Sequence, residues 1–395
     1  MIMRKKLMPL LLVLLLVFPL FAGATGAETV TISRKEYESL KRYKLLEEVR
    51  EYIDTYYYQQ PDDQAMMDGA IQGLLAGLGD GYTFYYPEEA WKKMWEDDTG
   101  KYAGIGIQLL GSPKTSAVTI VRVFRDTPAE KAGIKRGDIL YKVEDIEITT
   151  ATLQDGVSVM RGKPGEKVHV EVLRGSETIG FDLQKADITL NQVEYKMLDD
   201  KIGYIVAYEF AGEMDKEFEK AYKALKAQGA KGLLIDLRDN PGGWVEQCVH
   251  IADLFLDKTL LFYAENRSGR QEKTYTHNGK DDIPLVILVN EHSASASEIF
   301  SAAMKDYGRA TIVGTTTFGK GVIQFVTALS DGKSGFQFTS AQYFSPKGNK
   351  VHKVGVTPDV VAEMPEDLAG TFNEVGDLSD PQLKTAYEEL LKKLP

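Results

Sequence analysis

Three apolar runs, each followed by a stretch of helical spacing, constrain this 395-residue chain most strongly. Residues 202–208 read as a strand, and the helix expected over 215–228 buries Phe218, Tyr222 and Leu225, with Gly229 at the position that ends it. Residues 232–237 and 285–289 are the next strands, and helices are expected over 245–256 and 297–307, the latter closed by Gly308. Strands alternating with helices can bury their faces only in layers, so the pattern predicts a layered α/β core.

Composition adds two exclusions. A formal net charge of −11 without a long acidic block describes a solvated surface that repels nucleic acid. One cysteine, Cys248, in a segment spaced like a buried helix, rules out an internal disulfide. His169, His250, His277, His292 and His352 are scattered and give no metal-ligand spacing, so neither a metal nor a cofactor is expected.

The first residues differ from the rest. Arg4, Lys5 and Lys6 precede an apolar run over 7–22 and then small residues to Ala27, the order of a secretory signal, here assigned to 1–27. The run is short for a bilayer span and is interrupted by Pro9 and Pro19, which argues against an uncleaved anchor. Export without disulfides fits a bacterial cell envelope or the exterior.

Residues 28–98 are expected to form a helical region. Ser33 and Glu36 match a capping box, Leu40, Leu46, Val49, Ile53 and Tyr57 mark an apolar stripe, and a second helix over 63–78 would turn Met67, Ile71, Leu74, Leu75 and Leu78 inward. Over 99–188 the rhythm changes to short strands, with Thr127-Pro128 opening a short helix, another helix over 153–160 and a hairpin at 174–176. The layered α/β core is assigned to 189–365. In the tail, 366–395, a helix from Asp380 aligns Leu383, Tyr387, Leu390 and Leu391.

The chemistry-bearing residues follow the strands. Ser295 lies between the apolar run 285–289 and the next helix, where a hydroxyl can be exposed beside free backbone N–H groups. It also reads as a cap, since Ser295-Ala-Ser-Glu298 is a capping box, and Ser293 and Ser297 are rivals for the nucleophile. Lys320, flanked by Gly319 and Gly321 and close to Phe318, Val322, Ile323 and Phe325, has the apolar setting that disfavours an ammonium, as a general base requires. Gln324, four residues on, is placed to orient it by a hydrogen bond. Gly242 and Gly243 after the strand 232–237 let the backbone turn its N–H groups inward, as an oxyanion hole needs.

The segment 99–188 resembles a PDZ domain in Tyr102-Ala-Gly-Ile-Gly-Ile107, in Thr127-Pro-Ala-Glu-Lys-Ala-Gly-Ile134 and in Arg136-Gly-Asp-Ile-Leu140. With Asp236-Leu-Arg-Asp-Asn-Pro-Gly-Gly243, Ser293-Ala-Ser-Ala-Ser-Glu-Ile299, Gly319-Lys-Gly321 with Gln324, and Gly355-Val-Thr-Pro-Asp359, the chain resembles the C-terminal processing peptidases, or tail-specific proteases. The resemblance covers nearly all of the chain after the signal. It implies a mixed α/β multidomain protein: a crotonase-like α/β catalytic core, an inserted PDZ-like β-rich domain and an N-terminal helical region. It implies a serine endopeptidase with Ser295 as nucleophile, Lys320 as base, Gln324 as orienting partner, and the N–H groups of Ala296 and of Gly242, favoured over Gly243, as oxyanion hole. One element departs: where the family often has Asp-Pro-His-Ser-x-Tyr, this chain has Gly79-Asp-Gly-Tyr-Thr-Phe-Tyr85, a difference expected to touch only the packing of the N-terminal region.

The substrates expected are exported proteins or peptides with free apolar C-termini. The N–H groups around Gly104, Ile105, Gly106 and Ile107 would hold the terminal carboxylate while the tail adds as a strand. An uncleaved N-terminal segment would add membrane association, and a homo-oligomer is compatible with the sequence. The alternative is a catalytically inactive PDZ adaptor that binds protein C-termini.

Overall fold

The computed structural model describes residues 30–98, 101–111, 116–199, 201–277, 279–365 and 375–394. The secretory signal expected at 1–27 lies outside them. The chain divides into two compact units, residues 1–67 and 68–395.

In the first unit the helices Arg34–Lys41 and Lys44–Tyr56 carry the sequence's capping logic. The Glu36 N–H donates to Ser33 Oγ at 3.2 Å, and the Ser33 N–H donates back to Glu36 Oε2 at 2.7 Å. The apolar stripe is real but uncovered: Leu40, Leu46 and Val49 are exposed, and neither helix has a buried residue. The helix Asp63–Ala76 likewise has none, so Met67, Leu74 and Leu78 point outward rather than inward. Helical spacing put them on a common stripe, but spacing does not supply an element to lie over it.

The second unit is built on a six-stranded sheet in the order Val193–Met197, Ile202–Ala207, Gly232–Asp236, Leu285–Val289, Thr311–Gly314, Val360–Val361. The first pair is antiparallel and the others are parallel. The three central strands are buried along their whole length, as expected where both faces of a parallel sheet are covered. Their side chains divide with period two. Leu233, Ile235, Ile287 and Val289 meet the helices Met214–Ala227, Val245–Asp253 and Ala296–Asp306, whereas Leu234, Val286 and Leu288 meet Leu383, Ala386 and Leu390 of the helix Pro381–Leu391.

A second, antiparallel sheet joins Phe84–Tyr86, Gly335–Phe344, Leu260–Asn266 and Gln271–Tyr275, and Val322–Ala328 pairs with Gly335–Phe344. The PDZ-like part has its own core around Ile120, Leu140, Val170 and Val172. Its sheet runs Ile107–Gly111, Val118–Val123, Ile139–Val143, Lys167–Arg174, Glu177–Gln184, and the ribbon of Lys101–Gly104 with Ala186–Thr189 marks where it enters and leaves the core. Among the described residues no helix is long and apolar enough to cross a membrane.

Leu234, with no exposed surface, is the sheet residue at the centre of the layer under the C-terminal helix. Leu234→Ala is expected to destabilise the protein by about 2–5 kcal/mol, because the buried site cannot close around the lost methyl groups. Urea unfolding of the purified protein checks this.

Candidate active site

Neighbouring parallel strands end on the same edge of the sheet, and the loops leaving those carboxyl ends form the site. Gly232–Asp236 leads into the turn 237–243, Leu285–Val289 into 290–295, and Thr311–Gly314 into 315–321. Strand order therefore brings the glycine turn, the serine and the lysine together, although they are far apart in the sequence.

Ser295 is the N-cap of the helix Ala296–Asp306 and is half-buried, with φ 54° and ψ −114°. A serine at positive φ is a strained residue, of the kind that persists where surrounding contacts hold it. Its two rivals have structural work. Ser293, fully buried, donates from Oγ to the Leu237 carbonyl at 2.7 Å and accepts the Asn290 N–H at 2.9 Å. Ser297, also fully buried, donates from Oγ to the Asn240 carbonyl at 3.1 Å.

The turn is fixed by Asn240, which is fully buried. Its side chain donates to the Ala207 carbonyl at 2.8 Å, and its carbonyl accepts the Ala294 N–H at 3.0 Å. Its Oδ1 accepts the Gly242 N–H at 2.9 Å, so the donor favoured from the sequence is already engaged. The N–H groups of Gly243 and Ala296 donate to no described acceptor. Gly242 is needed for another reason: with φ +99°, a Cβ there would lie 2.6 Å from Ser295 Cβ and 2.8 Å from the Ala296 nitrogen.

Glu298 joins the serine to the lysine. Fully buried, it accepts at Oε2 the N–H groups of Ser295 (2.9 Å) and Lys320 (2.8 Å), and at Oε1 the Gly319 N–H (2.7 Å) and the Thr317 hydroxyl (2.6 Å). Burial raises its pKa, and the four donated hydrogen bonds oppose that by favouring the carboxylate. The capping box legible in the sequence is one corner of this arrangement. Tyr343, which no local pattern marks, lies with its hydroxyl 3.1 Å from the Ser295 carbonyl and 2.9 Å from that of Lys320.

Lys320 is half-buried. Desolvation lowers its pKa from the ordinary 10.5, with the Glu298 charge acting against it. No hydrogen bond joins Lys320 Nζ to Ser295 Oγ or to Gln324 among the described residues; Nζ instead sits over the Tyr82 ring, 5.1 Å from its centroid. Gln324 lies beyond a register shift in its strand and donates from Nε2 to Thr339 Oγ1 at 3.3 Å. Thr339 is hydrogen-bonded in turn to Asp80, and its N–H donates to Thr83 Oγ1 at 3.3 Å. The segment 79–85, expected to concern only N-terminal packing, therefore forms a wall of the site.

In the PDZ-like part, the N–H groups of Ile105 and Gly106 donate to no described acceptor, while their carbonyls accept the N–H groups of Ala129 (2.9 Å) and Phe124 (3.0 Å). Ile107 opens the strand Ile107–Gly111, which is an edge strand. The helix Leu153–Met160 runs alongside, since a Cβ on Gly111 would meet Leu153 and one on Gly104 the Met160 carbonyl. Gly106 has φ +87°, and a Cβ there would collide with Thr127 at 2.3 Å, so the loop itself requires glycine.

Comparison with known proteins agrees with this architecture. Residues 201–362 match peptidase family S41, residues 103–184 the PDZ domain, and residues 23–90 the activating protease CtpB N-terminal domain. The chain is 34% identical over 345 residues to the carboxy-terminal processing protease CtpA of Bacillus subtilis, covering 87% of this chain and 73% of that protein. The chain belongs to the carboxy-terminal processing proteases. A second member of this family, the carboxyl-terminal-processing protease of Synechocystis, is 36% identical over 81% of this chain and 76% of its own length. Among solved structures, the photosystem II D1 C-terminal processing protease is similar with a TM-score of 0.56 and 28% identity, covering 89% of this chain and 100% of that one.

Replacing Glu298 tests the joint between the loops. Glu298→Gln would place an amide NH₂ either against the N–H groups of Ser295 and Lys320 or against that of Gly319, so it is expected to cost about 2 kcal/mol of stability and to reduce peptide hydrolysis sharply. Thermal unfolding and a peptidase assay on the same preparation check both.

Proposed function

We propose that this protease is a serine endopeptidase in which Ser295 is the nucleophile and Lys320 the general base, and that it cuts exported proteins at or near their C-termini. The observation that carries the reading is the common carboxylate of Glu298, which holds the backbones of Ser295 and Lys320 in one cluster with Tyr343 bridging their carbonyls. Ser295 Oγ attacks the scissile carbonyl carbon while neutral Lys320 Nζ takes its proton. The resulting ammonium gives that proton to the leaving amine, and water then releases the acyl group by the same route. Negative charge on the carbonyl oxygen is stabilised by the Ala296 N–H, with the Gly242–Gly243 turn beside it. Gln324 would orient the lysine after turning from Thr339.

The edge strand Ile107–Gly111 and the N–H groups of Ile105 and Gly106, which have no acceptor among the described residues, support tail capture: an incoming chain extends the sheet and its carboxylate takes those donors. Export to the envelope or exterior is part of the proposal and rests on residues 1–27.

Ser295→Ala is expected to lower hydrolysis by several orders of magnitude with the fold intact, and Lys320→Arg to be equally inactive because a guanidinium does not release its proton near neutrality. In the wild type, the neutral fraction of a lysine with a lowered pKa rises with pH, so kcat/KM is expected to climb from acid through neutrality. A folded Lys320→Arg protein that cuts at wild-type rate would show that another group is the base. Tail binding by a wild-type protein that never cuts and takes no fluorophosphonate label would make it an adaptor.

A terminal carboxylate on backbone donors gains charge-assisted hydrogen bonds worth roughly 1.5–3 kcal/mol each, which an amide cannot match. Titration of full-length Ser295→Ala protein with an apolar tail peptide is therefore expected to show binding at least about tenfold weaker for the amidated form. Equal affinities would leave the PDZ-like part without a carboxylate site.

A further inference from the structure

Lys320 has no ion-pair partner among the described residues. The neighbouring carboxylate, Glu298, is engaged at both oxygens by four donors, three of them backbone N–H groups. The Glu298 charge favours the Lys320 ammonium from a distance, but a direct contact for Nζ must come from elsewhere. The Tyr82 ring, 5.1 Å from Nζ, lies within cation–π range.

That ring is held in place by its backbone. The Tyr82 N–H donates to Asp80 Oδ1 at 3.1 Å, and its carbonyl accepts from Gln337 Nε2 at 2.9 Å. Gln337 lies on the strand Gly335–Phe344, which also pairs with Val322–Ala328 immediately after the lysine. Lys320 and its aromatic wall therefore lie in loops that border one sheet. The lysine's backbone is fixed from the other side, because the Lys353 N–H donates to the Gly319 carbonyl at 2.8 Å and His352 lies against Gly321.

We propose that Tyr82 is the positioning residue of Lys320: the face of its ring seats the ammonium, steadies the charge as the proton arrives from Ser295, and fixes the pH at which the amine becomes free. The inference rests on the Ser295–Lys320 reading. Titratable groups on the elements packed around the lysine are Glu298 on its helix, Tyr82 with Asp80 in the loop before the strand Phe84–Tyr86, and His352 and Lys353 on the segment beside Gly319 and Gly321. The ring contributes through its quadrupole, so the hydroxyl is dispensable and the π face is not.

The test reads the lysine directly. In full-length Ser295→Ala protein, competitive acetylation with acetic anhydride across a pH series, quantified at Lys320 by mass spectrometry, gives the pH at which the amine is half free. Tyr82→Leu keeps the wall apolar but removes the π face, and is expected to lower that midpoint by about half to one pH unit. Tyr82→Phe is expected to leave it unchanged. In the Ser295 enzyme, the acid limb of kcat/KM is expected to move with the midpoint. An unmoved midpoint in Tyr82→Leu overturns the proposal, as does a fall in Tyr82→Phe as large as that in Tyr82→Leu. A midpoint that moves while the acid limb stays fixed keeps the seat and removes Lys320 as the base.

Discussion

One buried carboxylate organises this protein's site. Glu298 receives hydrogen bonds from the Ser295 and Lys320 backbones, and from Thr317 and Gly319, so four donors that would be costly to bury unpaired are satisfied at one point. Hydrogen bonds to an ionised acceptor are about twice as strong as neutral ones, and four of them offset much of the cost of taking the charge out of water. The strained serine, the lysine loop and the close approach of Gly242 are all tied to this centre. Tyr343 completes it by bridging the carbonyls of the same two residues.

The electrostatic consequences differ for the two ionisable groups. Burial pushes both toward their neutral forms, but four donated hydrogen bonds oppose it at Glu298, whereas at Lys320, half-buried and without an ion pair among the described residues, only the Glu298 charge does. A base needs that neutrality before the reaction and needs its charge tolerated during it. With Lys320 as the proposed base, burial supplies the first requirement, and the negative face of the Tyr82 ring would meet the second without adding a further counter-charge.

Local periodicity made much of the fold legible. The alternating strands and helices from Ile202 onward, the Ser33 cap and the strand-rich PDZ-like segment were readable because each depends on neighbours a few residues away. Contacts between distant segments were not. Three serines looked alike at 293, 295 and 297, and only the approach of Leu237 and Asn240 gave two of them structural partners. The Gly242 N–H, which local sequence leaves open, is taken by Asn240 folding back on it. Tyr82 and Tyr343 had no local signature, because their roles arise where one sheet meets another. Met67, Leu74 and Leu78 show the converse: a correct helical period with no cover over it.

The site straddles a seam. Ser295 and the glycine turn hang from the parallel sheet, whereas Gln324, Tyr82 and Tyr343 belong to or adjoin the antiparallel one, and the chain passes from the first to the second through Lys320. Each sheet keeps its own ladder of hydrogen bonds, so a small slide of one layer past the other would part Lys320 from Ser295 without melting either. The apolar core that both sheets share and the Tyr343 contacts to Ser295 and Lys320 hold that join in register.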